Sequence, residues 1–156
     1  MLKATEMTED YAELISQWRY PAPYESYSMK ANQEEINQLM NGLHAAVLDE
    51  AGVLTGFLAF GWAAQVRGEA SESIYEDESF SDIALGLKPE LCGRGLGIEL
   101  VQCAISFIKE LFPEDGVRLT VRADNPRAVR VYRRAGFREA ETFTHEDGAN
   151  YITMVL

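Results

Sequence analysis

Three glycines alternate between an apolar run and an amphipathic segment, and this arrangement constrains the fold more than any other feature. The stretch reads KPELCGRGLGIELVQ, from Lys88 to Gln102. Before it, SDIALGLKPE predicts a strand that Pro89 ends, and GIELVQCAISFIKELF after it has the apolar spacing of a helix. Glycines at a helix N-terminus direct several backbone N–H groups toward one point, where the helix dipole favours an anion. The sequence therefore predicts a phosphate-binding turn between a strand and a helix.

Three other interpretations of this turn can be compared with the residues present. The nucleoside-triphosphate loop fails, because Ile98 and Glu99 follow Gly97 where Lys and Ser or Thr are needed. The dinucleotide fingerprint G-x-G-x-x-G comes closer, but the spacing here is G-x-G-x-G and too little chain surrounds it for a six-stranded dinucleotide domain. A tight turn with only a structural role remains open.

The other segments predict the remaining elements of a mixed α/β sheet. Asp124 or Asn125 as N-cap, Pro126 at the first helical position and Gly136 beyond the end indicate a helix over DNPRAVRVYRRAGF. Residues 65–79 are acidic and aperiodic, which predicts a loop. The predicted order is β-α-α-β-β-β-α-β-α-β-β, with the other strands and helices in MLKAT, TEDYAELISQWRY, ANQEEINQLMNGL, HAAVLDE, GFLAFGWAA, VRLTVRA, REAETFTH and NYITMVL.

Size and composition predict one globular domain over residues 1–156. The chain is 47% hydrophobic and 25% charged, and no apolar run approaches the length of a membrane span. The first residues lack a signal-peptide pattern, so we expect a cytoplasmic protein with no membrane partner. Cys92 and Cys103 have no second pair of ligands, which predicts free thiols and no metal site.

The charge is unevenly distributed along the chain. Residues 1–90 contain 16 acidic and 5 basic side chains, whereas residues 91–156 contain 9 of each. Seven of the 14 basic residues lie between Arg118 and Arg138. The acidic total argues against a nucleic-acid partner. The basic cluster predicts either contact with a small polyanion or a solvated helix face.

Two separated motifs resemble those of the GNAT superfamily of acetyl-coenzyme A dependent N-acetyltransferases. They are LGLKPELCGRGLG and VRADNPRAVRVYRRAGF, and the predicted element order is also that of the family. The resemblance implies a single-domain GNAT fold and an enzyme that transfers an acetyl group from acetyl-CoA to a primary amine of a small-molecule, peptide or protein acceptor by direct attack. The positions that match the family motifs are Gly95, Gly97, Asn125, Tyr132, Gly136 and Phe137.

The resemblance also implies how acetyl-CoA, as cosubstrate, would be bound. The strand edge at Leu85 and Leu87 would pair with the pantetheine arm, and Asn125 would contact the cofactor. The 3′-phosphate would need cations, for which the candidates are Arg127, Arg133 and Arg134. The residues of the loop that would hold the pyrophosphate are Cys92, Gly93, Arg94, Gly95, Leu96 and Gly97.

Cys92 departs from the family pattern, which has Gln or Arg at this position. Its thiol pKa could be lowered by the helix N-terminus, or the side chain could be a small neutral filler.

For catalysis, the resemblance implies that Tyr132 protonates the departing thiolate, although a core aromatic is the alternative. A backbone N–H around Leu87 would stabilise the oxyanion. Some family members have a glutamate where this chain has Thr120, and threonine cannot serve as a base at pH 7. Asp82 is the best remaining carboxylate, acting through ordered water, although it could instead cap its strand or pair with an arginine.

The acceptor side is predicted from charge and from an aromatic stretch. The net charge of the first half favours a cationic amine through electrostatic steering. The stretch WRYPAPYESY places Trp18, Tyr20, Tyr24 and Tyr27 where family members build the acceptor wall, although these residues could equally pack in the core. An acyl-CoA binding module without turnover and a dinucleotide-dependent oxidoreductase remain as alternative functions, and a homodimer is left open.

Overall fold

The structure, a computed structural model, describes residues 1–156. It is built around one seven-stranded sheet. The strands lie in the order β1-β2-β3-β4-β5-β7-β6. Neighbours are antiparallel except β4 and β5, which are parallel. The strands are β1 Lys3–Glu6, β2 His44–Leu48, β3 Leu54–Phe60, β4 Phe80–Leu87, β5 Gly116–Arg122, β6 Arg138–Thr144 and β7 Asn150–Val155.

The helices confirm the predicted element order, with one addition. The segment 65–79, predicted as a loop, contains a short helix and a 3-10 turn at Glu69–Ser71. Ser71 stabilises this turn, because its hydroxyl accepts from the Gly68 N–H and donates to the Val66 carbonyl. The helices are α1 Glu9–Ser16, α2 Gln33–Leu39, α3 Glu72–Tyr75, α4 Gly97–Leu111 and α5 Pro126–Arg134.

Each face of the sheet is covered by helices. Successive strand residues point to opposite faces, and neighbouring β2 residues accordingly belong to different cores: Val47 packs in the cluster with α4 and α5, and Ala46 packs in the cluster with α1 and α2. The α4 side chains buried in the first cluster are Leu100, Val101, Ala104 and Ile108.

The parallel pair β4–β5 opens along its length, and this opening positions the candidate site. Pairing runs from Phe80 and Gly116 to Ile83 and Leu119 and then stops. Both strands continue, β4 to Leu87 alongside β3 and β5 to Arg122 alongside β7. We call the gap beyond Ile83 and Leu119 the β4–β5 opening.

The sheet topology distinguishes the GNAT fold from a dinucleotide-binding domain. A dinucleotide domain is built on a mostly parallel sheet, whereas this sheet has one parallel pair. The dinucleotide-dependent oxidoreductase is therefore not supported by the fold. None of the helices combines the length and the apolar character that crossing a bilayer requires.

Candidate cofactor and active site

The glycine loop presents an uninterrupted row of free backbone donors. A 3-10 turn at Pro89–Leu91 leads into the loop, and α4 begins at Gly97 without a side-chain cap. Along the loop and the first turn of α4, none of the N–H groups from Gly93 to Glu99 donates to a protein acceptor. Free N–H groups at the positive end of a helix dipole form an anion site.

Glycine is required in this loop for backbone conformation and for helix packing. Gly93 and Gly95 have φ of 76° and 80°, a left-handed region that side chains disfavour. An added Cβ at either position would meet no atom within 4 Å, so the space above the loop is open. At Gly97 a Cβ would lie 3.4 Å from the Val131 side chain, so this glycine allows α5 to approach α4 closely.

Next to the loop, the edge of β4 is free on the side of the β4–β5 opening. Lys88 donates its N–H to the Thr55 carbonyl on β3 at 2.8 Å. Because hydrogen bonding alternates along an antiparallel strand, the backbone groups of Leu85 and Leu87 point away from β3. Pairing with β5 has already ended at Ile83, so these groups face the opening. Leu85 and Leu87 thus lie at an edge where an extended ligand can add to the sheet.

The arginines of α5 differ in their surroundings. Arg127 is half-buried, with its guanidinium 4.3 Å from the centre of the Tyr24 ring and beside the Cys92 thiol. Arg133 forms an ion pair with Glu139. Arg94 and Arg134 are exposed. Three arginines of α5 were predicted to bind the 3′-phosphate. Arg127 lies against the loop, Arg133 is already paired with Glu139, and Arg134 is exposed.

The surroundings of Cys92 favour the neutral filler over a reactive thiol. The side chain is half-buried below the loop, and burial raises the pKa of the Cys92 thiol above its usual value despite Arg127 nearby. Its sulphur lies 3.9 Å from the Leu87 carbonyl oxygen and 3.7 Å from that of Lys88.

Tyr132 combines packing on the core with a free hydroxyl. Its ring meets Phe137 edge to face at a centroid distance of 6.2 Å, which is the core contact expected as the alternative. The hydroxyl has no hydrogen-bond partner in the protein, and the side chain is not fully buried. Burial, reinforced by Tyr27, raises the pKa of Tyr132 above its usual value. The phenol consequently keeps its proton at neutral pH and is able to donate it.

Asn125 is the N-cap of α5 rather than a free ligand. Its Oδ1 accepts from the Ala128 N–H at 3.2 Å, and its Nδ2 donates to the Tyr27 hydroxyl at 3.1 Å. Asp124, the other candidate cap, instead forms a two-bond pair with Arg122.

The geometry of Asp82 favours pairing over the role of base. Arg118 donates to both carboxylate oxygens, from Nε at 2.7 Å and from Nη2 at 2.9 Å, and Gln65 adds a third bond at 2.9 Å. Both charged side chains are at most 4% exposed. Both oxygens of this carboxylate are therefore engaged by protein donors rather than directed toward a substrate. Asp82 is thus part of a buried ion pair, the alternative that the sequence left open.

Two residues that the sequence did not single out complete this network. Tyr75 on α3 shares a hydrogen bond of 2.7 Å with the Thr120 hydroxyl and accepts from the Val66 N–H at 3.1 Å. Arg118 lies with its guanidinium 5.2 Å from the centre of the Tyr75 ring and donates to the Ile74 carbonyl. The position of the family glutamate is therefore occupied by a hydroxyl that is bonded to another hydroxyl.

The four aromatic residues expected at the acceptor wall separate into two groups. Trp18 is 8% exposed and packs against Phe57 in the α1–α2 core, so it is a core residue. Tyr20 also packs against this core. Together with Tyr24 and Tyr27 it lies along the β4–β5 opening, where each of the three contacts a residue predicted to bind the cofactor.

Comparison with known proteins agrees with this geometry. Residues 3–138 match the family model described as an acetyltransferase (GNAT) domain. The chain is 35% identical over 99 residues to mycothiol acetyltransferase of Mycobacterium sp. (strain JLS), a match that covers 62% of this chain and 29% of the relative. The chain thus spans less than a third of the length of this curated relative.

Two solved structures have the same fold at low sequence identity. The aminoglycoside acetyltransferase AAC(6')-Ib in complex with coenzyme A is 20% identical with a TM-score of 0.77, over 99% of this chain and 95% of that one. The spermidine/spermine N-acetyltransferase SpeG from Vibrio cholerae is 16% identical with a TM-score of 0.67, over 100% and 94%. With the family model matching residues 3–138, the chain belongs to the GNAT acetyltransferase domain family.

Proposed function

We propose that this protein transfers the acetyl group of acetyl-CoA to an amine by direct attack. The observation that carries the proposal is the row of free N–H groups from Gly93 to Glu99, next to the free β4 edge at Leu85 and Leu87. These two features match the two parts of coenzyme A, a diphosphate and an arm with two amide groups. A family of acetyltransferase domains that includes this chain supports the same conclusion.

The cofactor would be held mainly by backbone groups. The N–H groups of Gly93, Arg94, Gly95, Leu96 and Gly97 bind the diphosphate, and Leu85 and Leu87 pair with the pantetheine arm. Arg127 adds positive charge at the loop, and exposed Arg134 remains available to the 3′-phosphate. Asn125 and Cys92 then act indirectly, as the cap of α5 and as a neutral filler under the loop.

Tyr132 would act as the general acid. Acetyl-CoA supplies the acetyl group as a thioester, so a C–N bond forms to the amine while the C–S bond breaks. The Tyr132 hydroxyl donates its proton to the departing sulphur, which its raised pKa allows because the phenol is protonated at neutral pH. The N–H of Leu87, which points away from β3, would stabilise the oxyanion.

The proton on the attacking amine would leave to water without a dedicated protein base. Asp82 is tied to Arg118, and the Thr120 hydroxyl is bonded to Tyr75. A lysine-like amine is neutral in only about one molecule in 2,500 at pH 7, which corresponds to about 4.6 kcal/mol. Without a base to lower this cost, the rate should depend directly on the neutral fraction of the amine.

A cationic acceptor is supported by the acidic surface near the opening. Glu69, Glu72 and Glu76 are exposed on the segment between β3 and β4. Asp147 lines a cavity of about 720 Å³ at the end of β5, where Asp124 is already paired with Arg122. The names of two fold neighbours include aminoglycosides and spermidine, which carry several amines. Tyr24 and Tyr27 would form the wall toward such an acceptor, on the side of α5.

Two further expectations remain proposals. One N-acetyltransferase domain over residues 1–156 is supported by the single sheet that all seven strands join. A cytoplasmic location is supported by the free thiols of Cys92 and Cys103.

The proposed activity is tested by thiol release with a panel of amines of different pKa. We expect release with at least one cationic amine, and kcat/KM rising about tenfold per pH unit up to the pKa of each amine. No descending limb is expected below about pH 10, because the raised pKa keeps Tyr132 protonated. A rising limb at the same pH for every amine would indicate a protein base. Binding of coenzyme A without release with any amine would favour the binding module.

Gly95→Val tests the loop. The substitution places a side chain over the free N–H groups at φ of 80°, so we expect the Kd for coenzyme A to rise at least about tenfold. Gly52→Val is the matched control, since Gly52 also has φ of 80° and open space around it but lies in the β2–β3 turn. Equal Kd values for the two variants by calorimetry would mean that the loop does not hold the diphosphate.

Tyr132→Phe tests the general acid. The change removes the proton but keeps the ring against Phe137, so kcat should fall by about ten- to thousandfold while the Kd for coenzyme A stays the same. Tyr11→Phe on α1, whose hydroxyl bonds to no protein group, should leave both constants unchanged. Wild-type kcat for Tyr132→Phe would remove this residue from the mechanism.

A further inference from the structure

Three tyrosines of one short segment contact three different residues of the candidate cofactor site. We call residues 20–28 the tyrosine segment. Tyr20 donates to the Leu87 carbonyl at 2.7 Å, Tyr24 lies under the Arg127 guanidinium and Tyr27 accepts from Asn125. The segment thus spans the β4–β5 opening from the β4 edge to the start of α5.

The contact of Tyr20 differs from the other two because it uses the strand edge itself. The Leu87 carbonyl faces the opening, since the neighbouring Lys88 N–H is the one that bonds to β3. The Tyr20 hydroxyl, 2.7 Å from this oxygen, therefore donates to it from the side on which the next strand of the sheet would place its donor. Any extended ligand that adds to β4 at Leu87 must bring its own N–H to the same oxygen.

The position of Tyr20 is fixed by several contacts rather than by this one bond. Its backbone N–H donates to the Ser28 hydroxyl at 2.8 Å, which closes the segment on itself. Its ring meets Tyr27 edge to face at a centroid distance of 6.4 Å. Burial raises the pKa of the Tyr20 phenol above its usual value, so the hydroxyl remains a donor across the physiological range.

We propose that the Tyr20 hydroxyl is a built-in competitor of the pantetheine arm, which holds the Leu87 carbonyl in the free protein and is displaced when coenzyme A binds. The inference rests on the proposed function, because it assumes that the arm pairs with β4. Part of the binding free energy of the cofactor is then used to break the Tyr20 contact. Displacement of Tyr20 also breaks its edge-to-face contact with Tyr27. Binding of coenzyme A thereby changes the acceptor wall, to which Tyr27 belongs.

Tyr20→Phe separates this competition from a general effect on the site. Removing the hydroxyl leaves only the Cys92 sulphur, at 3.9 Å, near the Leu87 carbonyl oxygen. The Kd for coenzyme A should therefore fall by about threefold to tenfold, the range expected for one hydrogen bond. Adenosine 3′,5′-bisphosphate carries no pantetheine arm, and its Kd should change by less than about twofold. Both constants are measured by calorimetry on the full chain. Tyr11→Phe serves as the control variant and should change neither constant, and thermal denaturation checks that each variant is folded.

Each result decides the inference. Tighter binding of coenzyme A without tighter binding of the bisphosphate supports it. Unchanged or weaker binding of coenzyme A to Tyr20→Phe overturns it, as does an equal gain for both ligands, because that gain would not involve the arm. If wild-type protein binds coenzyme A normally, such a result leaves the proposed function intact. If wild-type protein binds neither ligand, the proposed function fails and the inference fails with it.

Discussion

The end of pairing between β4 and β5 is the constraint on which the rest of the site depends. Beyond Ile83 and Leu119, β4 remains paired with β3 and β5 remains paired with β7, but β4 and β5 no longer pair with each other. Backbone groups that leave a sheet in this way need other partners. At Leu87 the Tyr20 hydroxyl supplies one, and at the adjoining loop the N–H groups from Gly93 to Glu99 have none. The candidate site is thus lined by backbone groups that the sheet and the helix leave without backbone partners.

The buried ion pair holds the two strands together just before they separate. Asp82 and Arg118 are opposite each other in the register, one position before the last pair. Breaking such a pair costs about 3–5 kcal/mol, because it leaves an uncompensated buried charge. Arg118 also donates to the carbonyls of Ile74 and Asp77, which attaches the segment between β3 and β4 to the junction. The pair therefore lies one position before the opening begins and joins the segment between β3 and β4 to both strands.

Features encoded by neighbouring residues were predictable from the sequence. Contacts between residues far apart in the sequence were not. The helix α5 has its cap, its first proline and its terminal glycine within twelve residues, and all three act as expected. The bond from Tyr20 to Leu87 joins residues 67 positions apart, and no pattern in either segment indicates it. The role of Trp18 was also ambiguous in the sequence. Its helical spacing indicates a core residue, whereas its proximity to Tyr20 and Tyr24 suggested the acceptor wall.

Hydrogen exchange of individual amides, measured by NMR with and without saturating coenzyme A, tests most directly whether incomplete backbone hydrogen bonding forms the site. We predict that the cofactor slows exchange of the amides from Gly93 to Glu99 and of Leu85. Slowed exchange at other amides with no change at these would contradict it, since coenzyme A would then bind away from the loop and the open strand edge.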